Sequence, residues 1–238
     1  MPILERFGAK INSIIGLTIS SVLLCIFSSQ PFLAARVLDY ACSCEPEVSP
    51  KGEFRYESKH VRLPKTPAEE ITIEQITDWI PQYFPGETFS PETPRQDREL
   101  RLFHISHAFL QAAWINRRDC DFHLEISPNE KKDSFRIIVE MTKEYCSERK
   151  ELQTQMAAKG FVLDEKLREF EQPLPVEVVG LAFQDNAEPR GSSKVNSLWE
   201  IHPAIVKIVS PRGDTCGERD FSRRLPVMLH GANDIFTC

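Results

Sequence analysis

Five strand-like segments, with one helix between the third and the fourth, follow residue 98. In each strand apolar and polar residues alternate, a pattern typical of β-strands with one buried face. The intervening segment is charged and ends at Gly160, a residue that tolerates the left-handed conformation found after helices. Three strands, a helix and two strands is the order of an OB-fold, a small Greek-key barrel. We therefore predict a mainly β (α+β) fold with a five-stranded OB-like barrel over residues 98–210; a single-sheet α+β sandwich is the alternative.

The alternation also predicts which side chains face the barrel interior and which face outward, because successive side chains of a strand point to opposite faces. The predicted interior residues are Phe122, Leu124, Ile126, Phe135, Ile137, Val139, Trp199 and Ile201. The predicted outward residues are Asp121, His123, Glu125, Arg136, Glu140, Glu200 and His202.

The first 35 residues are predicted to be a secretory signal peptide. Arg6 and Lys10 precede an apolar run, and small residues follow it, which is the layout of such signals. Ala35 is the preferred cleavage position and Ala41 the second. The alternative is an uncleaved membrane anchor, because the run approaches the roughly 17 residues needed to span a bilayer. The protein is thus expected to be secreted or periplasmic, or else anchored through this segment.

The cysteines agree with export. Cys25 lies inside the apolar run, so its removal leaves an even set of six in a chain that enters an oxidising compartment. We predict the pairs Cys120–Cys146 and Cys216–Cys238. The alternative is that Cys42 or Cys44 bonds to one of these partners and so ties the preceding segment to the barrel.

Residues 36–97 are rich in proline and form a predicted arm that contains one short amphipathic helix, and residues 211–238 form a C-terminal tail. Thr66 or Thr72 is expected to cap the arm helix. The whole chain has 29 Lys and Arg against 35 Asp and Glu, a net charge of −6. An acidic chain without a basic tract is not expected to bind nucleic acid non-specifically. The other partners are not indicated by the sequence.

The outward polar residues of the barrel are the candidate binding site. In OB-folds the outer face of the second and third strands, together with the loops that precede the second and fifth strands, forms the usual binding surface. Asp119 and Asp121 leave the first of these loops, and Glu200 leaves the second, so the two are expected to converge. The candidate binding residues are Asp119, Asp121, His123, Arg136, Glu200 and His202.

Two chemical roles fit these residues. Two imidazoles and two carboxylates, from Asp121, His123, Glu200 and His202, suit zinc or another divalent ion such as calcium. Such an ion could activate water while Arg136 stabilises an anionic transition state. The structural alternative is that the aspartates cap the turn before the second strand and the histidines make hydrogen bonds between strands. Because no nucleophile–base pair is visible, we predict a binding or interaction module, with a metal-dependent, nuclease-like phosphoesterase as the alternative.

Four short motifs, "DCDFHLEI", "VEMTKEYC", "VGLAFQD" and "NSLWEIHP", give the chain a recognisable likeness. It resembles a family of uncharacterised exported bacterial proteins with D-x-D-[FY]-H-L in one strand, a later E-x-x-x-x-x-C, and N-x-x-E-[IL]-H-P near the end. The resemblance covers roughly residues 100–208. It implies an exported OB-like protein and implies no particular activity.

Overall fold

A computed structural model describes residues 41–47, 54–82, 92–186 and 191–210. The predicted signal peptide with its Ala35 cleavage position, the C-terminal tail and the Cys216–Cys238 pair lie outside the described residues. None of the helices in the described ranges is both long and apolar enough to cross a membrane.

Five strands close into a barrel: β2 (Leu102–Ile115), β3 (Phe122–Ser127), β4 (Arg136–Met141), β5 (Arg168–Gln184) and β6 (Val195–Ile208). Their order is β2–β3–β4–β6–β5, and β5 pairs with β2 again to complete the ring. Neighbouring strands of the barrel are antiparallel except β4 and β6, which run parallel with Val139 beside Ile201.

This topology confirms the predicted OB-like barrel. The helix α3 (Cys146–Ala158) lies between the third and fourth barrel strands, as expected, and Gly160 follows it with a φ of +79°. The alternative of an open single sheet is wrong, because the β2–β5 pairing leaves no free edge in the barrel.

The barrel interior is apolar, as the alternation predicted. Phe122, Leu124 and Ile126 of β3 are fully buried, together with the predicted interior residues of β4 and β6. Phe135, one residue before β4, is partly buried against the same core. Leu152 and Met156 of α3 also pack against it. One core therefore joins the barrel and the helix.

The described part of the arm adds α1 (Tyr56–Lys59), β1 (Glu69–Glu70) and α2 (Ile73–Thr77). Thr72 caps α2: its side chain accepts from the backbone N–H of Gln75, and the Gln75 side chain accepts from the N–H of Thr72. Ile73 and Ile76 reach the barrel core, and Ile80, beyond the helix, is 72% exposed. The arm thus packs against the barrel through one helical turn.

The cysteines pair between the arm and the barrel. The bonds are Cys42–Cys146 and Cys44–Cys120, with Cα separations of 4.9 and 5.8 Å. The predicted Cys120–Cys146 pair is therefore wrong, and the alternative anchoring by Cys42 and Cys44 is confirmed. The observed strand register places Phe122 opposite Met141. This register brings Cys120 and Cys146 to one end of the barrel, where each forms a disulfide bond with one of the two arm cysteines.

We predict that peptide mapping under non-reducing conditions yields the Cys42–Cys146 and Cys44–Cys120 linkages. Each bond closes a long loop, with sequence separations of 104 and 76. Replacing both Cys44 and Cys120 by Ser should therefore lower the free energy of unfolding by about 2–4 kcal/mol, measured by urea denaturation. A linkage between Cys120 and Cys146 would contradict this arrangement.

Candidate functional site

The strand register assembles a row of polar side chains across the outside of the barrel. His123 of β3 lies between Trp114 of β2 and Glu140 of β4. Since Val139 pairs with Ile201, the next residue of each strand, Glu140 and His202, are also neighbours. The row therefore joins residues of four strands on one face.

The arm covers this row. Arg55, in the turn before α1, makes two contacts of 2.7 and 2.8 Å with the Glu99 carboxylate. Arg95 donates to the backbone carbonyls of Ala182 and His202. His60, at the end of α1, places its ring edge-on to His202, with 6.4 Å between ring centroids. The outward face predicted by the alternation is therefore buried rather than exposed to water.

Three side chains meet at the centre of the row: Asp121, Glu140 and His202. One ligand-type atom from each lies within 4.8 Å of the other two. His202 Nε2 is 3.2 Å from Asp121 Oδ2, and His202 Nδ1 is 2.7 Å from Glu140 Oε2. Asp121 and His202 are completely buried, and Glu140 is 4% exposed. We call this group the acidic centre.

Several atoms of the acidic centre make no hydrogen bond of good geometry to the described residues. They are both carboxylate oxygens of Asp121, Glu140 Oε2 and His202 Nε2. Buried polar atoms usually have such partners, because desolvation without compensation costs free energy. The short distances within the centre are thus ionic contacts, and they leave hydrogen-bonding capacity unused.

Two neighbouring side chains, His123 and Glu200, contact the acidic centre from outside. His123 Nδ1 lies 2.6 Å from Glu140 Oε1, and the His123 ring stacks on Trp114 with centroids 3.7 Å apart. Glu200 Oε1 lies 3.1 Å from His202 Nδ1. His123 and Glu200 therefore orient Glu140 and His202 from outside.

Burial and charge control the ionisation of the acidic centre. Burial raises the pKa of Asp121 to about 7, although its contact with His202 lowers it, and the Asp119 charge raises it further. Burial also raises the pKa of Glu140, but the charges and contacts of His202 and His123 outweigh it and hold that pKa well below its usual value. His202 shows the opposite balance: burial lowers its pKa, and the surrounding carboxylates raise it well above the ordinary value. The acidic centre therefore pairs an imidazolium with a carboxylate.

Asp119 shapes the loop that carries Asp121. Its carboxylate accepts from the backbone N–H of Asp121 and from the Asn116 side chain, both at 3.0 Å. Cys120, between the two aspartates, has a φ of +69° and is held by its disulfide. This capping is the structural role that the sequence offered as an alternative. It fits Asp119, but it does not explain why neither Asp121 oxygen makes a hydrogen bond of good geometry to the described residues.

Arg136 lies away from the acidic centre. It precedes Glu140 by four residues on one strand, a distance of about 13 Å at the usual rise per residue. Its guanidinium is 2.8 Å from both Glu125 and Glu169. Glu125 also accepts from the backbone and the hydroxyl of Ser192. Arg136 therefore belongs to a separate cluster that ties the loop after β5 to the barrel, in which only its Nε makes no hydrogen bond to the described residues.

The observed group lacks two of the four predicted ligands and contains one residue that was not predicted as a ligand. Asp121 and His202 meet as expected, but Glu140 completes the group, while His123 and Glu200 contact it from outside. Glu140 was predicted to face outward, but its position opposite His123 depends on the register between β3 and β4.

His60, in the arm, is not among the residues that the sequence pointed to, because no strand alternation places it on the barrel. Its side chain is 4% exposed.

Comparison with known proteins finds no matching family model, no similar curated protein sequence and no similar solved structure at a significant level. The resemblance to exported bacterial proteins with D-x-D-[FY]-H-L motifs therefore stays a prediction. The class of the protein is defined by its own fold, a closed five-stranded OB-like barrel with two disulfides that hold an N-terminal arm.

The environment of His60 predicts a pH dependence of stability. Burial, reinforced by the charge of His202, lowers its pKa from 6.5 to about 4. Between these values the unfolded chain binds a proton that the folded chain does not, so stability falls as the pH is lowered from 6.5 to 4. In His60→Gln, measured in EDTA, the slope of the free energy of unfolding in this window should be shallower by up to about 1.4 kcal/mol per pH unit. An unchanged slope would contradict the prediction.

Proposed function

We propose that the protein is an exported binding module of the OB-like class and that the acidic centre is its ligand site. The observation that carries the proposal is the set of buried carboxylate and imidazole atoms that make ionic contacts with one another but no hydrogen bond of good geometry to the described residues. Proteins tolerate such atoms at functional sites, where stability is sacrificed for a ligand.

Export is supported by the cysteines and by the N-terminal sequence. Disulfides persist in oxidising compartments, and both described pairs hold the arm to the barrel. Ala41 is completely buried in the barrel core. Cleavage after Ala41 would remove this contact, so cleavage after Ala35 is the better proposal.

The comparison of two carboxylates on the same face supports a ligand site rather than a scaffold. Glu125 is buried and accepts from Arg136 and from two groups of Ser192. Asp121 is equally buried, yet its only ion-pair partner among the described residues is His202. A purely structural carboxylate is expected to look like Glu125, because an unpaired buried charge is costly.

Binding is favoured over catalysis because the arm encloses the centre. A hydrolase needs its metal-bound water to be reachable by the substrate. Asp121 and His202 have no exposed surface, and Arg136, the candidate for stabilising an anion, is occupied by two glutamates. The metal-dependent phosphoesterase remains the second candidate function, since a carboxylate–imidazole group is suited to a catalytic metal. Turnover of bis(p-nitrophenyl) phosphate that is lost in Asp121→Asn would favour it over binding alone.

We predict that Asp121→Asn stabilises the protein in EDTA at pH 8, where the Asp121 carboxylate is ionised and its burial is most unfavourable. The free energy of unfolding should increase by about 2 kcal/mol. In a chain of this size each kcal/mol corresponds to a rise of roughly 2–4 °C in the midpoint of thermal unfolding.

Glu125→Gln is the matched control, because it replaces a buried carboxylate by its amide in the same strand region. It should destabilise the protein by about 3 kcal/mol, since it leaves the buried Arg136 without its full complement of charge. If Asp121→Asn is destabilising to a similar degree, Asp121 has a structural role and the proposal fails.

A further inference from the structure

We infer that the ligand of the acidic centre is a divalent transition-metal ion of the zinc type, bound by Asp121, Glu140 and His202. The inference rests on the proposed function, because it names the chemistry that the same site recognises. It replaces the ligand set expected from the sequence with one that the tertiary structure brings together.

The donor atoms have the spacing of a metal site. All three candidate ligand atoms lie within 4.8 Å of one another, and His202 Nε2 is 3.2 Å from Asp121 Oδ2. Zinc bonds to nitrogen and oxygen are about 2.1 Å long, so two ligands of a tetrahedral ion are separated by about 3.4 Å. The centre therefore needs only a small adjustment to surround an ion.

The contacts of Glu140 and His202 indicate which of their side-chain atoms would bind the ion and which would be oriented by neighbouring residues. Glu140 Oε1 lies against His123, and His202 Nδ1 lies 3.1 Å from Glu200. Glu140 Oε2 and His202 Nε2 make no hydrogen bond of good geometry to the described residues, and their close contacts, with His202 Nδ1 and Asp121 Oδ2, lie within the centre itself. Metal-binding histidines commonly contact a carboxylate through the nitrogen that is not a ligand, which fixes the ring. Glu200 is placed for this role toward His202, and His123 toward the Glu140 carboxylate.

The charge of the centre also calls for a cation. Among the described residues, the ion-pair partners of Asp121 and Glu140 are histidines only. By contrast, the buried Glu99 faces the guanidinium of Arg55. Two buried carboxylates that lack an arginine or lysine partner are complemented well by a doubly charged ion.

The donor types select the class of ion. An imidazole together with two carboxylates suits zinc and similar transition metals, whereas calcium and magnesium favour sites made of oxygen atoms alone. Three protein ligands leave one tetrahedral position. His60 of the arm lies edge-on to the His202 ring, with 6.4 Å between ring centroids, and its Nε2 is buried without a hydrogen-bond partner among the described residues. The arm is thus in position to control access to that fourth site.

The competing explanation is that protonated His202 alone neutralises the two carboxylates. The two explanations differ in their response to added metal. The test uses the full chain recovered from its native compartment, stripped with EDTA and then given one equivalent of Zn²⁺, Mn²⁺, Ca²⁺ or Mg²⁺. Binding is followed by the midpoint of thermal unfolding and by titration calorimetry, and Co²⁺ absorption bands report the ligand geometry.

We expect Zn²⁺ to bind in a 1:1 ratio and to raise the unfolding midpoint by several degrees, with little effect of Ca²⁺ or Mg²⁺. Asp121→Asn and Glu140→Gln should each weaken binding by at least 100-fold. Two controls should bind like the parent. Asp164→Asn removes a partly exposed carboxylate paired with Arg168, and the Cys216→Ser/Cys238→Ser variant removes two sulfur atoms outside the centre.

The inference is overturned if the folded parent gives no Zn²⁺-dependent shift, or if Asp121→Asn retains the shift of the parent. Circular dichroism in EDTA establishes that each variant is folded before binding is compared. If Asp121→Asn stabilises the EDTA-treated protein but no metal binds the parent, the acidic centre stays a ligand site and the identity of the ligand is wrong. If Asp121→Asn destabilises the protein and no metal binds, both proposals fail.

Discussion

Attachment of the arm to the barrel is the constraint on which the buried site depends. The Cys44–Cys120 bond fixes the arm one residue before Asp121, and the Cys42–Cys146 bond fixes it at the first residue of α3. The buried contact between Arg55 and Glu99 then holds α1 against the same face. Without these contacts the polar row would be an ordinary wet barrel exterior, and its carboxylates would not be desolvated.

Burial affects the charged groups of this face in two different ways. Arg136 and Glu125 form a pair in which hydrogen bonds from neighbouring groups also satisfy the carboxylate, so its role is structural. Asp121 is as deeply buried, but burial raises its pKa to about 7 because His202 offsets the desolvation only in part. One sheet thus carries two kinds of buried charged group: the structural cluster of Arg136 and Glu125, and the acidic centre, whose carboxylates have only histidine partners among the described residues. This contrast, more than the presence of charged residues, is what singles out a candidate site.

The OB-like barrel could be predicted from the sequence because alternation is a local property. Phe122 and Leu124 face the core and His123 faces outward whatever the rest of the chain does, since the period of a strand is two residues. The convergence of Asp121 and His202 was also within reach, because it follows from the strand order. Glu140 was named as an outward residue but not as a ligand. The reason is that its importance depends on the register between β3 and β4.

The strand order, the inward and outward faces, the position of α3 and the even set of cysteines after Cys25 could all be derived from local sequence patterns. Three features emerged from the folded chain alone: the arm covers the outward face, Cys42 and Cys44 bond to the barrel cysteines, and His60 lies against His202. The physical reason is that a strand's alternation is set by its own backbone geometry. The burial of its outer face, by contrast, is set by contacts between residues far apart in the chain, and no local pattern records these.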